Sequence, residues 1–395
     1  MKYNFDEIID RSGTNSLKWD IKDGELPMWV ADMDFKTAPQ IIDAINKRVA
    51  NGIYGYSIIP DEWTKSYVSW WERRHSFKMN EENLVFCTGV IPALSTAVRK
   101  LTTPAEKVIV FTPVYNMFFN SIVNNGRVPV QCQLTKRDGH VAIDFDSFEK
   151  VCKDPQVSLL FMCNPQNPIG AIWDKDTLAK VGEICNKYGI TVISDEIHCD
   201  IVEPGNSYIP FASVNDVNAN ISVTCIAPTK CFNIAGVQSA AIYAKNPQLR
   251  HKMWRGLNTD EVGEPNFVAI QAAIAAFNEG EEWLNELNEY IGSNKQLVRN
   301  FVKDNISDLK DVSESATYLS WIDASAIMDK FNKVNADNKY ANLAEYIRKT
   351  TGLYLSSGTV YGIGGENYLR LNVACPKSVV KDGLNRLKTS IEKIG

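Results

Sequence analysis

The sequence predicts an α/β fold: a large unit built on a mostly parallel sheet flanked by helices, plus a smaller α+β unit. Three observations carry this. First, short apolar runs recur at the length of buried strands: Val108 to Phe111, Leu159 to Cys163, Ile190 to Ile193 and Ile221 to Ile226, each ending in a polar or glycine-rich turn. Second, a helical pattern separates two of them. Leu178, Val181, Ile184, Cys185 and Tyr188 fall at helical spacing within 174–188, and Gly189 follows as a stop. Strand and helix in alternation imply parallel strands covered on both faces. Third, the pattern changes after about Asn285. Helical stretches (Trp283 to Lys303, Ala341 to Thr350) there precede strand-like runs (Tyr318 to Ile322, Tyr368 to Val373). The expected division is 46–285 for the large unit, with 1–45 and 286–395 forming the smaller one.

Composition narrows the function. The chain has 395 residues, 45% hydrophobic and 23% charged, values ordinary for a globular protein. The net charge is −5 and no basic stripe is present, which argues against a nucleic-acid partner. The longest basic cluster, Arg73-Arg74-His75, reads as a solvated helix end. Nine cysteines are scattered without a Cys-x-x-Cys pair, so neither a zinc ribbon nor a thioredoxin-like motif is supported. An odd count without a framework fits a reducing compartment. Residues 1–12 carry charges throughout, and no apolar run is long enough to span a bilayer. A cytoplasmic protein without a membrane partner is expected.

The polar residues at the strand ends come next, because ligands bind outside the carboxyl ends of strands in open α/β sheets. Tyr115, Asn164, Asn167, Asp195 and Lys230 would all lie there. Lys230 follows a strand. It is either an ordinary surface lysine or a desolvated amine able to attack an aldehyde. Asp195 is either a helix N-cap or a buried carboxylate that keeps a cofactor's ring nitrogen protonated. Gly89-Val90-Ile91 lies between a short strand and a helical pattern (Leu94, Ala97, Val98, Leu101). It is either a tight turn or a phosphate cradle at a helix N-terminus. Tyr115 is either core or a ring stacked on that cofactor. Arg370 sits in an alternating strand pattern and needs an anion, supplied by a structural salt bridge or by a substrate carboxylate.

Other chemistries fail. Gly362-Ile363-Gly364-Gly365 follows no suitable strand-helix turn for dinucleotide binding. His75, His140, His198 and His251 show no metal-ligand spacing, and no metal is expected. No Gly-x-Ser-x-Gly elbow occurs.

At this point the residues resemble a known family. Asn164-Pro165-Gln166-Asn167-Pro168-Ile169-Gly170 and Ser194-Asp195-Glu196-Ile197-His198 are similar to signatures of fold-type I pyridoxal-phosphate (PLP) enzymes of the class I/II aminotransferase superfamily. The resemblance runs essentially end to end. More narrowly, Asp10-Arg11-x-Gly13-Thr14-x-Ser16-x-Lys18-Trp19-Asp20, Pro27-Met28-Trp29-Val30-Ala31-Asp32-Met33-Asp34-Phe35 and Lys230-Cys231-Phe232-Asn233 resemble the MalY/PatB-type C–S lyases, the cystathionine β-lyase subfamily.

The resemblance implies roles. Lys230 would carry PLP and move the substrate Cα proton. Asp195 would pair with the pyridine nitrogen, and Asn167 and His198 would lie near the ring hydroxyl. Tyr115 would stack on the ring and help protonate the leaving sulfur. Gly89, Val90, Ile91, Thr229 and a partner subunit's Tyr56 would hold the phosphate, which implies a homodimer. Arg370 would bind the substrate carboxylate. Two positions depart from the pattern: Gln238 stands where many aminotransferases have a phosphate-binding arginine, and Ile169 where the signature has threonine. The implied reaction is α,β-elimination on an L-cysteine thioether, giving pyruvate, ammonia and a thiol. An aminotransferase on the same residues is the first rival. A regulatory protein-binding role with secondary PLP chemistry is the second.

Overall fold

A computed structural model describes residues 1–394. Seven strands form the large sheet: Leu84–Cys87 (β1), Lys107–Thr112 (β2), Val128–Gln133 (β3), Val157–Cys163 (β4), Thr191–Asp195 (β5), Ser222–Ile226 (β6) and Ala240–Tyr243 (β7). Their order is β1-β7-β6-β5-β4-β2-β3. Only β7 runs antiparallel to its neighbours; the other pairs are parallel. All of β6 and β7 and nearly all of β4 are buried, as strands covered on both faces must be. β5 runs two residues past the apolar stretch read from sequence, because Ser194 and Asp195 still pair with Met162 and Cys163.

Helices Asp61–His75 (α1), Val90–Leu101 (α2) and Lys175–Lys187 (α3) surround this sheet. The N-terminus of α3 is capped: the Asp174 side chain accepts from the Thr177 amide at 2.7 Å. Gly189 beyond its end has φ +69°, a conformation that favours glycine. Ala93, Leu94, Ala97 and Val98 turn one stripe of α2 onto the sheet, which fixes the helix with its N-terminus at the end of β1.

A second, antiparallel sheet contains Lys310–Asp311 (β8), Leu319–Asp323 (β9), Ser356–Ser357 (β10) and Tyr368–Asn372 (β11), in the order β8-β9-β11-β10. Helices Glu281–Asn305 (α4), Leu343–Thr351 (α5) and Lys377–Glu392 (α6) share a core with it. Leu369 and Leu371 enter that core, so by alternation Arg370 and Asn372 face the other way, toward the large sheet.

The N-terminal segment touches both units. Leu26–Pro27 pairs in parallel with Leu353–Tyr354, and Met28 joins the smaller core. Met33 and Phe35 join the aromatic core around Trp63, Tyr67, Trp70 and Trp71 of α1. Residues 29–32 therefore bridge the cleft. A partly buried ion network anchors them. Lys18 Nζ meets Asp34 at 2.6 Å, and Arg11 meets Asp34 at 2.9 Å and Asp32 at 3.0 Å.

One sequence reading needs correction. Arg73-Arg74-His75 does form a helix end, but only Arg73 is well solvated. Arg74 and His75 turn inward onto the buried Asp200 carboxylate, at 3.3 and 3.0 Å, because a buried charge requires counter-charges. Among the described residues no helix is long and apolar enough to cross a membrane.

Candidate active site

The carboxyl ends of the central strands open into a cavity of about 270 Å³. Its wall contains Gly89, Val90, Ile91, Tyr115, Asn167, Asp195, His198, Thr229 and Lys230. These come from five separate stretches of chain that only the sheet brings together. Asn164 does not join them. Its amide donates to the Ile209 carbonyl at 2.9 Å and holds the loop instead. Gly89 precedes α2, and no side chain caps that helix, so the first backbone N–H groups point at the cavity mouth.

The charges in this cavity are poised rather than satisfied. Asp195 ends β5 and caps no helix. Among the described residues its carboxylate accepts one hydrogen bond, from the Ile197 amide at 3.2 Å. Burial pushes its carboxyl up to about 7, against the pull of that amide and of Lys230. Burial, helped by Arg370 and opposed by Asp32 and Asp195, brings the Lys230 amine down to about 8. His198 is buried and brought down to about 3, by burial first and then by Lys230 and Arg370. It is a neutral imidazole, and its Nδ1 has no partner among the described residues.

A second chamber of about 660 Å³ adjoins the first, and the two share Ala31, Tyr115 and Lys230. Arg370 lies in its wall, buried, and forms no ion pair with any described carboxylate. Nη1 donates to Asn167 at 3.3 Å and Nη2 to the Trp29 carbonyl at 2.9 Å, while Nε is unpartnered. The guanidinium lies 4.9 Å from the Tyr361 ring centre. The salt-bridge alternative for Arg370 is thus not met, and its charge is available to an anion in the chamber. Farther out, Trp29 stacks on Tyr354, and Arg348 lies over Tyr354 with its charge taken up by Glu25 at 2.8 Å.

Sequence reasoning missed the backbone of residues 29–32. The Ala31 carbonyl accepts from Lys230 Nζ at 2.7 Å and from the Tyr318 hydroxyl at 3.0 Å. Asn233, three residues past Lys230, grips this segment by accepting from the Met33 amide and donating to the Met33 and Phe35 carbonyls. The sequence signal was the two motifs themselves, Pro27 to Phe35 and Lys230 to Asn233; nothing in either says that they touch. Tyr56 stays outside the cavity of its own chain and is fully exposed, on a wall of a separate groove of about 630 Å³ with Ile53 and Gly55.

The structure also gathers His75, Cys199 and Asp200, whose ligand atoms lie within 4.8 Å of one another. Dispersal in sequence had hidden this cluster. Its carboxylate is already saturated by the Trp70 indole at 3.0 Å, by His75 and by the Arg74 cation. That donor set suits an internal ion network in which Arg74 supplies the cation.

A family model for aminotransferase class I and II matches residues 27–387. The chain belongs to this family. Within the aminotransferase class I and II family, it is 41% identical to cystathionine β-lyase PatB of Bacillus subtilis, over 98% of this chain and all of that protein. It is 29% identical to the protein MalY of Escherichia coli, over 99% of this chain. Among solved structures, cystalysin of Treponema denticola, which contains pyridoxal 5'-phosphate, superposes with a TM-score of 0.92 at 31% identity and covers both chains fully. A PLP-bound C–S lyase of Staphylococcus hominis in complex with L-cycloserine gives 0.92 at 32% identity, over 99% of each chain.

Proposed function

We propose that this chain is a PLP-dependent carbon–sulfur lyase that eliminates a thiol from L-cysteine thioethers such as cystathionine. The observation that carries the reading is the pair of adjoining chambers sharing Lys230. One is lined by unmet groups suited to PLP, and the other by an unpaired arginine suited to an α-carboxylate. End-to-end similarity to cystathionine β-lyases favours elimination over transamination.

The residues fit the cofactor. Asp195 is buried without an ion-pair partner among the described residues, which a protonated ring nitrogen would supply. The uncapped N-terminus of α2 and the Thr229 hydroxyl suit a phosphate. Asn167 and His198 suit the ring hydroxyl, and Tyr115 suits a ring face. No arginine lines this chamber, and Gln238 stands in its wall. A phosphate there lacks a guanidinium from its own chain. We read the exposed Tyr56, with Ile53 and Ile58 beside it, as completing the site of a second copy in a homodimer.

When bound, PLP supplies an electrophilic carbon for the substrate amine and a sink for the electron pair left on Cα. The chain's residues do the rest. Arg370 orients the α-carboxylate and turns the Cα–H bond toward Lys230. The Lys230 amine accepts the Cα proton. It can do so near neutral pH because burial keeps a useful fraction unprotonated. The Cβ–S bond breaks, and the sulfur takes a proton from Lys230 or Tyr115. The aminoacrylate product then leaves the chamber. Its hydrolysis gives pyruvate and ammonia, so cystathionine and one water yield pyruvate, ammonia and homocysteine.

The test is to add L-cystathionine to the purified holoenzyme without a keto acid. Equal amounts of pyruvate and free thiol are expected, reduced on the order of 10⁴-fold in Lys230→Ala. Conversion of the cofactor to its amine form without pyruvate would instead establish an aminotransferase.

A further inference from the structure

Asn372 lies two residues beyond Arg370 on β11, so both side chains share a face. It is buried, and its side chain is fully committed. Nδ2 donates to the Val30 carbonyl at 2.6 Å and the Asp32 carbonyl at 2.7 Å, while Oδ1 accepts from the Ala374 amide at 2.8 Å. One amide group thus grips the carbonyls on either side of Ala31. The Ala31 carbonyl, held between them, receives the Lys230 amine, and the Trp29 carbonyl receives Arg370.

We propose that Asn372 is a positioning residue: by fixing residues 29–32 it aims the free Lys230 amine at the substrate Cα, and seats Arg370 secondarily. This rests on the lyase reading above. A lysine released into a cavity has four rotatable bonds and must lose much of its rotamer freedom before it can act. A carbonyl that accepts one N–H removes most of that freedom. It also leaves the nitrogen lone pair pointing elsewhere, into the chamber. A carboxylate in its place would compete for the proton; a carbonyl cannot. In the step itself the Cα–H bond breaks, the proton joins the Lys230 lone pair, and the electron pair stays with Cα. Asn372 touches none of these atoms and acts only through the segment that it holds.

The test compares wild type with Asn372→Ala and Asn372→Ser in two measurements. The first is the primary isotope effect with Cα-deuterated L-cystathionine on the holoenzyme. The second uses the cofactor-free full chain: reductive methylation of Lys230 by formaldehyde and cyanoborohydride, read by mass spectrometry across pH. For Asn372→Ala, kcat/KM falls about 10- to 100-fold, mainly in kcat, and the isotope effect rises because proton transfer has become slower. The methylation midpoint of Lys230 moves down by about half a pH unit, since a lost acceptor no longer favours the ammonium. Asn372→Ser keeps one donor and falls between; it serves alone if the alanine variant does not fold. A purely structural role lowers thermal stability and leaves both readouts at their wild-type values. Either readout at its wild-type value overturns the assignment. The methylation readout needs no substrate. If wild type makes no pyruvate, the lyase reading fails and that midpoint alone judges Asn372.

Discussion

Asp195 ends β5, and Asp200 lies in the loop that follows it; both carboxylates are buried. Their surroundings differ completely. Asp200 is ringed by donors: the Trp70 indole, His75, Arg74 and, more distantly, the thiols of Cys199 and Cys231. Burial alone would raise its carboxyl, but His75, Arg74 and Trp70 outweigh burial and hold it below the usual range. Asp195 has one amide and a distant lysine, and burial wins. Burial therefore does not by itself mark a candidate site; on the reading proposed above, what marks it is that the chain withholds the partner. The same contrast separates Arg370, with no acid beside it, from Arg348, bound to Glu25 by two hydrogen bonds.

This comparison can be sharpened from both sides. The largest effect on stability comes from Asp200→Asn. It breaks the contacts of a buried carboxylate to Arg74 and His75 and leaves the half-buried Arg74 with the more exposed Glu281, at 3.2 Å, as its counter-charge; a loss of about 3–5 kcal/mol is expected in urea unfolding at pH 7. The folded fraction keeps its cofactor absorbance. The pH signature follows from the lowered carboxyl. The stabilisation from Asp200 is fully present above the unfolded carboxylate range and is lost as pH falls through the depressed folded value.

Asp195→Asn has the opposite signature. In the cofactor-free protein, the folded state holds this proton to about pH 7, so its ionisation above that costs stability. The cofactor-free variant is more stable than wild type by roughly 2–4 kcal/mol at pH 8, and the difference shrinks toward zero as pH falls below the unfolded value near 4. Urea midpoints at pH 5 and 8 read this. Equal midpoints for variant and wild type at pH 8 would mean that Asp195 already has its partner. In the holoenzyme the same variant loses about 100-fold or more in kcat.

The smallest effect is Arg370→Lys, which keeps the charge but loses the planar fork. A rise in KM of about tenfold, with kcat changed less, is expected from steady-state pyruvate formation.

Much of this was legible in the sequence, for a physical reason. Buried parallel strands are continuous apolar runs, and their ends are where polar residues collect; that reading found Tyr115, Asn167, Asp195 and Lys230 together. Side-chain chemistry was legible, and backbone chemistry was not. The carbonyls of Trp29 and Ala31 carry no residue-type signal, so neither their contact with Arg370 and Lys230 nor the role of Asn372 could be seen. Strand β3 escaped because Pro129 and Gln131 break its apolar run, and β7 because its alanines carry little strand signal. Arg74 and His75 were misread because a charge run at a helix end is usually solvated. The carboxylate that draws them inward comes from the distant loop at Asp200.

The two chambers meet at Ala31, Tyr115 and Lys230 and otherwise have separate walls. That separation has an evolutionary consequence. Leu17, Met117 and Val360 line only the outer chamber, away from Asp195, Thr229 and the end of α2. On the proposed reading, mutations there can fit a bulkier or more polar leaving group while the residues of the inner chamber stay under their own selection. A lineage built on this plan can change its thiol product without rediscovering how to break the bond.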